Sequence, residues 1–255
     1  MLVHRKASTR APAGYFAWEA AGLRWLAQAP GGVPVVRVLG VGRDYLDLAR
    51  LDTASPTRLA AQRFGEGLAR THLAGAAAYG SPPGDWSGDG FFGPLSAPLP
   101  LALTPRAGWG QFWALDRLTP ITRVCRDAGV FCAADTVVLD AVARRCTEGH
   151  FDTGDPPARV HGDLWSGNVL WTPGGATLID PSAHGGHREY DLAMLDLFGA
   201  PHLPAVLAAY RAVAPLAAGW RERVGLHQLH ALAVHALLFG GGYAAQTLAA
   251  ARRYR

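Results

Sequence analysis

Two short apolar runs around one turn constrain the fold more than any other part of the sequence. The runs are Val169–Trp171 and Ala176–Ile179, and Pro173-Gly174-Gly175 between them is a turn signal. This pattern is typical of a β-hairpin. Asn168 precedes the first run and Asp180 follows the second, at equal distances from the turn centre. We therefore expect the hairpin to bring the side chains of Asn168 and Asp180 together at its open end.

The polar side chains at this open end suit a magnesium site next to a catalytic base. Asn168 and Asp180 each offer an oxygen atom, and Mg²⁺ prefers carboxylate and carbonyl oxygens together with substrate phosphates. Asp163 lies five residues before Asn168, which is the spacing of the base and the metal-ligating Asn in the protein-kinase catalytic loop. For any one of the three residues, an ordinary polar hairpin end is the simpler interpretation. Together, with His161 before the base and a glycine in the loop, they favour a phosphotransferase.

The same stretch resembles one protein family. The sequence HGDLWSGN at residues 161–168, followed by LIDPSAHGGHREYDLAMLDLFG at 178–199, is similar to the fructosamine kinase (ketosamine 3-kinase) family, a relative of the aminoglycoside phosphotransferases. The similarity runs from about Lys6 to about Tyr243 and includes the stretch at 235–242. It implies an α+β fold of the two-lobed protein-kinase-like type, with a small antiparallel-sheet N-lobe and a larger, mainly helical C-lobe.

The resemblance also implies an activity and a set of site residues. It predicts an ATP- and Mg²⁺-dependent kinase that phosphorylates the sugar 3-hydroxyl of ketosamines, free or bound to protein, and so reverses glycation. Asp163 is the expected catalytic base, and Asn168 and Asp180 are the expected metal ligands. Three further residues are expected near the substrate: Trp165, His161 and His187. For Trp165, a place in the core at the junction of the lobes is an equally good interpretation.

Lys6 is the only lysine in a chain with 24 basic side chains. Arg is a planar fork and Lys a compact point charge, so the two are not interchangeable at a tight phosphate site. By resemblance, Lys6 occupies the position of the strand lysine that holds the α- and β-phosphates of ATP. The alternative is a lysine retained by chance near the chain terminus.

Glu19 is the expected partner of Lys6. In the predicted helix Tyr15–Gln28, Glu19, Leu23 and Leu26 follow the i, i+4, i+7 spacing of one face. The carboxylate therefore lies on or beside the apolar stripe, where an unpaired charge is costly. An ion pair with Lys6 would offset that cost and fix the lysine for phosphate, whereas the alternative is a Glu that reaches solvent at the edge of the stripe.

The chain is expected to divide into a nucleotide-binding lobe over residues 1–51 and a helical lobe over 52–255. The first lobe has predicted strands at Val35–Val41 and Tyr45–Leu51, and Ala49 and Leu51 are expected to contact the nucleotide at the hinge. The second has predicted helices at 57–72, 109–128, 134–149, 202–214 and 220–251. Residues 75–105 are rich in Gly and Pro, and loops this long are usually functional or mobile. By resemblance this loop approaches the substrate.

The sequence begins at the strand that carries Lys6, whereas family members have two earlier strands joined by a Gly-rich loop. We therefore expect a truncated N-lobe that lacks this hairpin, most simply because the natural start lies upstream. A non-catalytic, pseudokinase-like binding protein is the alternative from another class. A kinase for an aminoglycoside or similar amine is the alternative within the enzyme class.

Composition excludes several partners. The net charge of +4 and pI near 9.2 are compatible with nucleic-acid binding, but the Arg residues are scattered and no nucleic-acid-binding motif is present. No apolar stretch is long enough to span a membrane. The three cysteines have no metal-binding spacing, and no signal peptide is evident, so we expect a cytoplasmic protein. The sequence does not indicate an oligomeric state.

Overall fold

The N-terminal part of the chain forms a small antiparallel sheet with one helix packed on it. A computed structural model describes residues 2–255. The elements here are β1 (Val3–Ala7), α1 (Tyr15–Ala27), β2 (Val38–Val41) and β3 (Tyr45–Ala49). The strand order is β1-β3-β2, with Lys6 opposite Leu46. Phe16 and Leu23 of α1 are buried in one cluster with Leu46 and Leu48, so the helix is held against the sheet.

Two backbone hydrogen bonds join this first part to the rest of the chain. The amide of Val36 donates to the carbonyl of Leu178 at 3.0 Å, and the amide of Leu178 donates to the carbonyl of Pro34 at 2.8 Å. A strand was predicted from Val35, but β2 begins only at Val38, because the preceding residues pair with the strand that contains Leu178 instead. Arg159 adds a bond from Nη1 to the carbonyl of Trp25 at 2.6 Å. The positions of the two parts are therefore coupled through the backbone.

The remainder of the chain is mainly helical, as the sequence predicts. The helices are α2 (Arg58–Leu73), α3 (Trp109–Trp113), α4 (Thr119–Asp127), α5 (Ala133–Thr147), α6 (Arg188–Leu197), α7 (Leu203–Val213), α8 (Trp220–Phe239) and α9 (Tyr243–Ala251). A π-helical turn, Ala114–Leu118, joins α3 to α4. Thr57 caps α2 by accepting a bond from the amide of Ala60. Along residues 2–255, no helix combines the length and apolarity needed to cross a bilayer.

The prediction of one continuous helix over 220–251 is wrong. Helix α8 ends at Phe239, and α9 begins at Tyr243. Gly240 and Gly241 between them have φ values of 65° and 62°, a left-handed conformation that glycine adopts without strain and that ends a helix. The three consecutive glycines at 240–242 are a helix-stop signal in the sequence, and the prediction overlooked it.

Three short hairpins or strand pairs complete the fold. They are β4 (Gly90–Phe92) with β5 (Leu99–Leu101), β6 (Ala158–Val160) with β9 (His184–Gly186), and β7 (Val169–Thr172) with β8 (Gly175–Leu178). The predicted hairpin is confirmed as β7–β8. Its register pairs Thr172 with Gly175, so the residue opposite Asn168 is Ile179 rather than Asp180. The β4–β5 hairpin was not predicted, because its strands are three residues long and lie in the Gly/Pro-rich segment.

Candidate active site

Two cavities meet at Lys6 and Asp180. The first, of about 340 Å³, is lined by these two residues and by Glu19, Asp163 and Asn168, among others. The second, also of about 340 Å³, lies on the other side of Lys6 and Asp180. Its remaining walls are His4, Val36, Leu48, Ala49, Arg50, Leu51, Leu170 and Ile179. The predicted hinge residues thus line one cavity, and the predicted base lines the other.

The predicted ion pair between Lys6 and Glu19 is present. Lys6 Nζ lies 2.9 Å from Glu19 Oε1 and 2.8 Å from Oε2, and it also lies 3.1 Å from Asp180 Oδ1. Burial lowers the pKa of Lys6, but the charges of Glu19 and Asp180 outweigh it and raise that pKa, so the ammonium stays charged. Burial raises the pKa of Glu19 to about 7, and Lys6 opposes this shift. The ammonium group of Lys6 is therefore paired with two carboxylates at once.

Asp163 lies at the start of the loop between β6 and β7, with its carboxylate toward the first cavity. Burial raises its pKa to about 7; the hydrogen bond from Asn168 opposes this shift, and the nearby charge of Asp180 adds to it. A carboxylate with a pKa near the working pH is suited to accept a proton from a hydroxyl group.

Asp191 of α6 holds the backbone of this loop. Its Oδ2 accepts a bond from the amide of His161 at 2.7 Å, and its Oδ1 accepts one from the amide of Gly162 at 3.0 Å. Gly162 has a φ of 81°, and a Cβ atom there would lie 2.1 Å from the carbonyl oxygen of Ser182. The loop conformation therefore depends on both the carboxylate of Asp191 and the absence of a side chain at Gly162.

Asn168 and Asp180 fit the requirements of a magnesium site. Asn168 Nδ2 donates to the carbonyl oxygen of Asp163 at 2.8 Å, to Asp163 Oδ2 at 3.1 Å and to the carbonyl oxygen of Asp180 at 3.4 Å. Because these bonds all use the amide nitrogen, the amide oxygen is left to act as a ligand. Asp180 has a left-handed φ of 52°, and its side chain is 42% exposed where the two cavities meet. The donor set is all oxygen, as Mg²⁺ prefers.

The two predicted substrate histidines lie elsewhere, and this corrects the expectation for both. His161 is buried: its Nε2 donates to the carbonyl of Ile179 at 2.8 Å, and its Nδ1 accepts from the amide of Asp163. His187 is also buried and caps α6, where its Nδ1 accepts a bond from the amide of Glu189. Neither imidazole lines the first cavity. Both hold backbone that supports the catalytic loop.

Trp165 lines the first cavity and is 41% exposed, so the alternative interpretation as a core residue is wrong. Its ring packs over Gly167 and contacts Phe198, with ring centroids 6.2 Å apart. The aromatic contacts continue from Phe198 to His235 at 4.8 Å and from His235 to Phe239 at 5.2 Å.

Several cavity-lining residues were not named as site residues from the sequence. They come from the β4–β5 hairpin and from the end of α8: Phe91, Phe92, Gly93, Pro94, Leu95, Val234, His235, Leu238 and Phe239. Two signals in the sequence pointed to this wall: the stretch at 235–242 carried family similarity, and the loop at 75–105 was expected by resemblance to approach the substrate. The β4–β5 hairpin is held in place because Trp18 Nε1 and Ser182 Oγ both donate to the carbonyl of Phe91 at 3.1 Å.

Outside the cavities, His187, Glu189 and His227 form a buried cluster whose nitrogen and oxygen atoms lie within 4.8 Å of one another. Arg223 already binds both oxygens of Glu189, at 2.6 and 2.9 Å. The charge of Glu189 is therefore paired, and this cluster is interpreted as a structural ion-pair network.

The comparisons with known sequences agree on one protein family. A model of the fructosamine kinase family matches residues 3–254. The chain is 33% identical over 216 residues to a probable ketoamine kinase of Synechocystis sp., covering 84% of this chain and 68% of that protein. It is 31% identical over 217 residues to the probable ketoamine kinase YniA of Escherichia coli, covering 82% of this chain and 69% of that protein.

Solved structures agree with the sequence relatives. A crystal structure of a candidate fructosamine-3-kinase from Thermobifida fusca has a TM-score of 0.90 at 46% identity and covers 99% of this chain and 85% of its own. The gentamicin complex of the aminoglycoside phosphotransferase APH(2'')-IIa has a TM-score of 0.64 at 12% identity, with 99% and 87% coverage. At that identity the likeness concerns the fold alone. The predicted two-lobed, protein-kinase-like α+β fold is confirmed.

Proposed function

The chain belongs to the fructosamine kinase family, and from this premise we propose that it transfers the γ-phosphoryl group of ATP to the 3-hydroxyl of a ketoamine sugar. One observation carries the proposal: Lys6, Asp163, Asn168 and Asp180 surround one cavity in the arrangement that phosphoryl transfer requires. This complete set also argues against a non-catalytic binding protein.

The second cavity is the proposed nucleotide site. Its walls are largely apolar, and Ala49 and Leu51 lie at its edge, where a flat adenine ring would fit between strands and hairpin. Kinase-like neighbours solved with ADP support the use of ATP. We accordingly assign residues 1–51 to a nucleotide-binding lobe and 52–255 to a lobe that carries the catalytic loop and the acceptor site.

Each charged residue has a distinct task in this proposal. Lys6, fixed by Glu19, places a positive charge on the α- and β-phosphates. Asp163 accepts the proton of the acceptor hydroxyl as that oxygen attacks the γ-phosphorus, and the bond from the γ-phosphorus to the β,γ-bridging oxygen breaks so that ADP leaves. Asn168 and Asp180 would hold Mg²⁺, which would supply neutralisation of the phosphate charge. Most of the rate enhancement then comes from positioning and from charge stabilisation.

The residues that line the first cavity favour a ketoamine over an aminoglycoside as the acceptor. An aminoglycoside carries several ammonium groups, which would call for several carboxylates around the mouth of the cavity. The carboxylates that line it are Glu19, Asp163 and Asp180, and all three lie at the reaction centre.

The reaction is proposed for the cytoplasm, since free thiols at Cys125, Cys132 and Cys146 suit a reducing compartment.

Replacing the proposed base tests the function directly. Asp163→Asn keeps the shape of the side chain and removes its ability to accept a proton. We expect kcat for ATP and 1-deoxy-1-methylamino-fructose to fall by about 10²–10⁴-fold, with an unchanged Tm. ADP release measures the rate, and ³¹P NMR identifies the phosphorylated hydroxyl.

The matched control is Asp127→Asn, at an exposed carboxylate paired with Arg126 and remote from both cavities. It should leave turnover unchanged. If Asp163→Asn retains most of the activity, Asp163 is not the base. If the wild-type protein phosphorylates no ketoamine, the proposed function is wrong.

A further inference from the structure

The side of the first cavity that faces away from the nucleotide is made almost entirely of apolar groups. Lys6 and Asp180 are shared with the nucleotide cavity, so the residues that line only the first cavity define where the acceptor lies. Beyond the reaction centre, these residues come mainly from α1, from the tip of the β4–β5 hairpin and from the last turns of α8. We call the set of Leu95, Val234, Leu238 and Phe239 the apolar shelf.

The two elements of the shelf are in contact with each other. A methyl group at Gly93 on the hairpin would lie 3.7 Å from Leu238 Cδ1, so the hairpin tip rests on the end of α8. Leu95 is half-buried and packs with the cluster of α1, and Val234 is buried in the helical core. Leu95 and Val234 are therefore held in place by the packing of the fold itself.

Phe239 differs from the other residues of the apolar shelf, because its side chain is 62% exposed. It lies one helical turn after His235, with ring centroids 5.2 Å apart, and the chain leaves the helix at Gly240 immediately afterwards. An exposed aromatic ring at the mouth of a functional cavity gains from contact with apolar ligand atoms.

The shelf also lacks charge. The ionisable lining groups beyond the reaction centre are Tyr15 and His235. His235 Nδ1 bonds to the carbonyl of Ala231 at 2.8 Å, and burial lowers the pKa of His235, so the ring is neutral at pH 7. An ammonium or carboxylate group on the acceptor would lose water on this wall and would find no opposite charge there.

We propose that the preferred acceptor is a ketoamine whose nitrogen carries an uncharged aliphatic arm, which packs on the apolar shelf. The inference rests on the proposed function and adds the class of amine. The arm can belong to a free alkylamine or to a lysine side chain within a peptide, because in both the methylene groups end without a nearby charge.

A series of acceptors with one sugar and one chain length tests the proposal. The four probes are the fructose ketoamines of methylamine, hexylamine, 6-aminohexanoate and 1,6-diaminohexane. All share the sugar and the secondary amine, while the last two end in a negative or a positive charge. We expect kcat/KM for the hexyl adduct to exceed that of either charged adduct by about tenfold or more.

Two variants test whether Phe239 is responsible for the preference for the hexyl adduct. In Phe239→Ala, the ratio of kcat/KM for the hexyl adduct to that for the methyl adduct should fall about tenfold. Val137→Ala is the matched control: it removes an exposed apolar side chain on α5 that lines neither cavity, and it should leave the ratio unchanged. Circular dichroism and Tm verify that both variants fold.

The outcomes separate the two proposals. If the methyl adduct is phosphorylated but the charged adducts react as fast as the hexyl adduct, the shelf does not select the acceptor and this inference fails alone. If no adduct is phosphorylated, the proposed function fails. Where the hexyl adduct is preferred, the fructose ketoamine of Nα-acetyl-lysinamide distinguishes the two sources of the arm. A rate equal to that of the hexyl adduct indicates a lysine side chain within a peptide, and a lower rate indicates a free alkylamine. Either result supports an uncharged arm.

Discussion

At the scale of single residues, the site is organised around one cation shared by two carboxylates. Lys6 holds Glu19 and Asp180 at 2.8 and 3.1 Å, and its side chain is only 16% exposed. The sequence predicted the partnership with Glu19, because a carboxylate on an apolar stripe requires a positive charge. It could not predict the contact with Asp180, which depends on how the hairpin sits against the sheet.

Removal of the shared cation should destabilise the protein in a pH-dependent way. In Lys6→Met, Glu19 and Asp180 lie near each other without a cation, so the pKa of Glu19 should rise above its value of about 7. A carboxyl group whose pKa is raised in the folded state favours folding at low pH, and this stability is lost as pH rises through the raised pKa. We expect a loss of about 3 kcal/mol at pH 8.5 and about half as much at pH 6.

Urea unfolding at the two pH values measures this difference. Arg5→Met is the control, since Arg5 pairs with Asp47 at the surface of the same sheet and its side chain is 58% exposed. It should change stability little at either pH. An equal loss for Lys6→Met at pH 6 and pH 8.5 would contradict the interpretation that Glu19 takes up the proton.

At the scale of elements, the catalytic loop is held by groups that lie outside it. Its sequence predicted the hairpin, and the order of Asp163, Asn168 and Asp180 along it predicted where the polar groups meet. Nothing in the sequence indicated that His161 would turn inward to the carbonyl of Ile179, because the backbone at His161 is held by Asp191, 30 residues away.

The close approach at Gly162 is a test of this support. Gly162→Ala would place Cβ 2.1 Å from the carbonyl oxygen of Ser182, in addition to the strain of a positive φ. Gly154→Ala is the matched control, with a φ of 74° and nothing within 4 Å of its Cβ. We expect about 1 kcal/mol of destabilisation at Gly154 and at least about 3 kcal/mol at Gly162, with loss of turnover only at Gly162.

Chemical denaturation and ADP release measure both effects. Equal stability losses for the two variants would show that backbone strain, rather than the contact with Ser182, determines the requirement for glycine. Full activity in Gly162→Ala would show that the loop can shift without harm to catalysis.

At the scale of the whole molecule, the interior holds an unusual number of neutral imidazoles. Burial lowers the pKa of five buried histidines, to about 3 for two of them, His184 and His230. The other three are His161, His187 and His227. Composition gave their number but not their burial. His230 lies against Phe92 and Trp113, and its Nδ1 has no hydrogen-bond partner among the described residues.

These histidines should make the protein labile to acid. A group whose pKa is lowered in the folded state stabilises above its unfolded pKa, and this stability is lost as pH falls below about 6.5. Glu19 and Asp163, with raised pKa values of about 7, act in the opposite direction. Because the imidazoles outnumber these two carboxyl groups, we expect the free energy of unfolding to decrease as pH falls from 7 to 5.5.

Urea unfolding between pH 7 and pH 5.5 should show this slope. His230→Leu should make this slope shallower by roughly 1 kcal/mol per pH unit, whereas His150→Leu, at an exposed position, should leave it unchanged. Stability that is constant or increases toward pH 5.5 would mean that the buried imidazoles are charged in the folded protein.

The break between α8 and α9 has a consequence for how this protein can diverge during evolution. The residues proposed to carry the chemistry lie on β1, on the loop before β7 and at the end of the β7–β8 hairpin, whereas Leu238 and Phe239 lie on the last turn of a helix, before three glycines that end it. Substitutions, insertions or deletions at this helix end can accumulate without moving Lys6, Asp163 or Asn168. Gene duplicates can therefore acquire new acceptors through a few mutations in one short segment, while the inherited catalytic machinery stays intact.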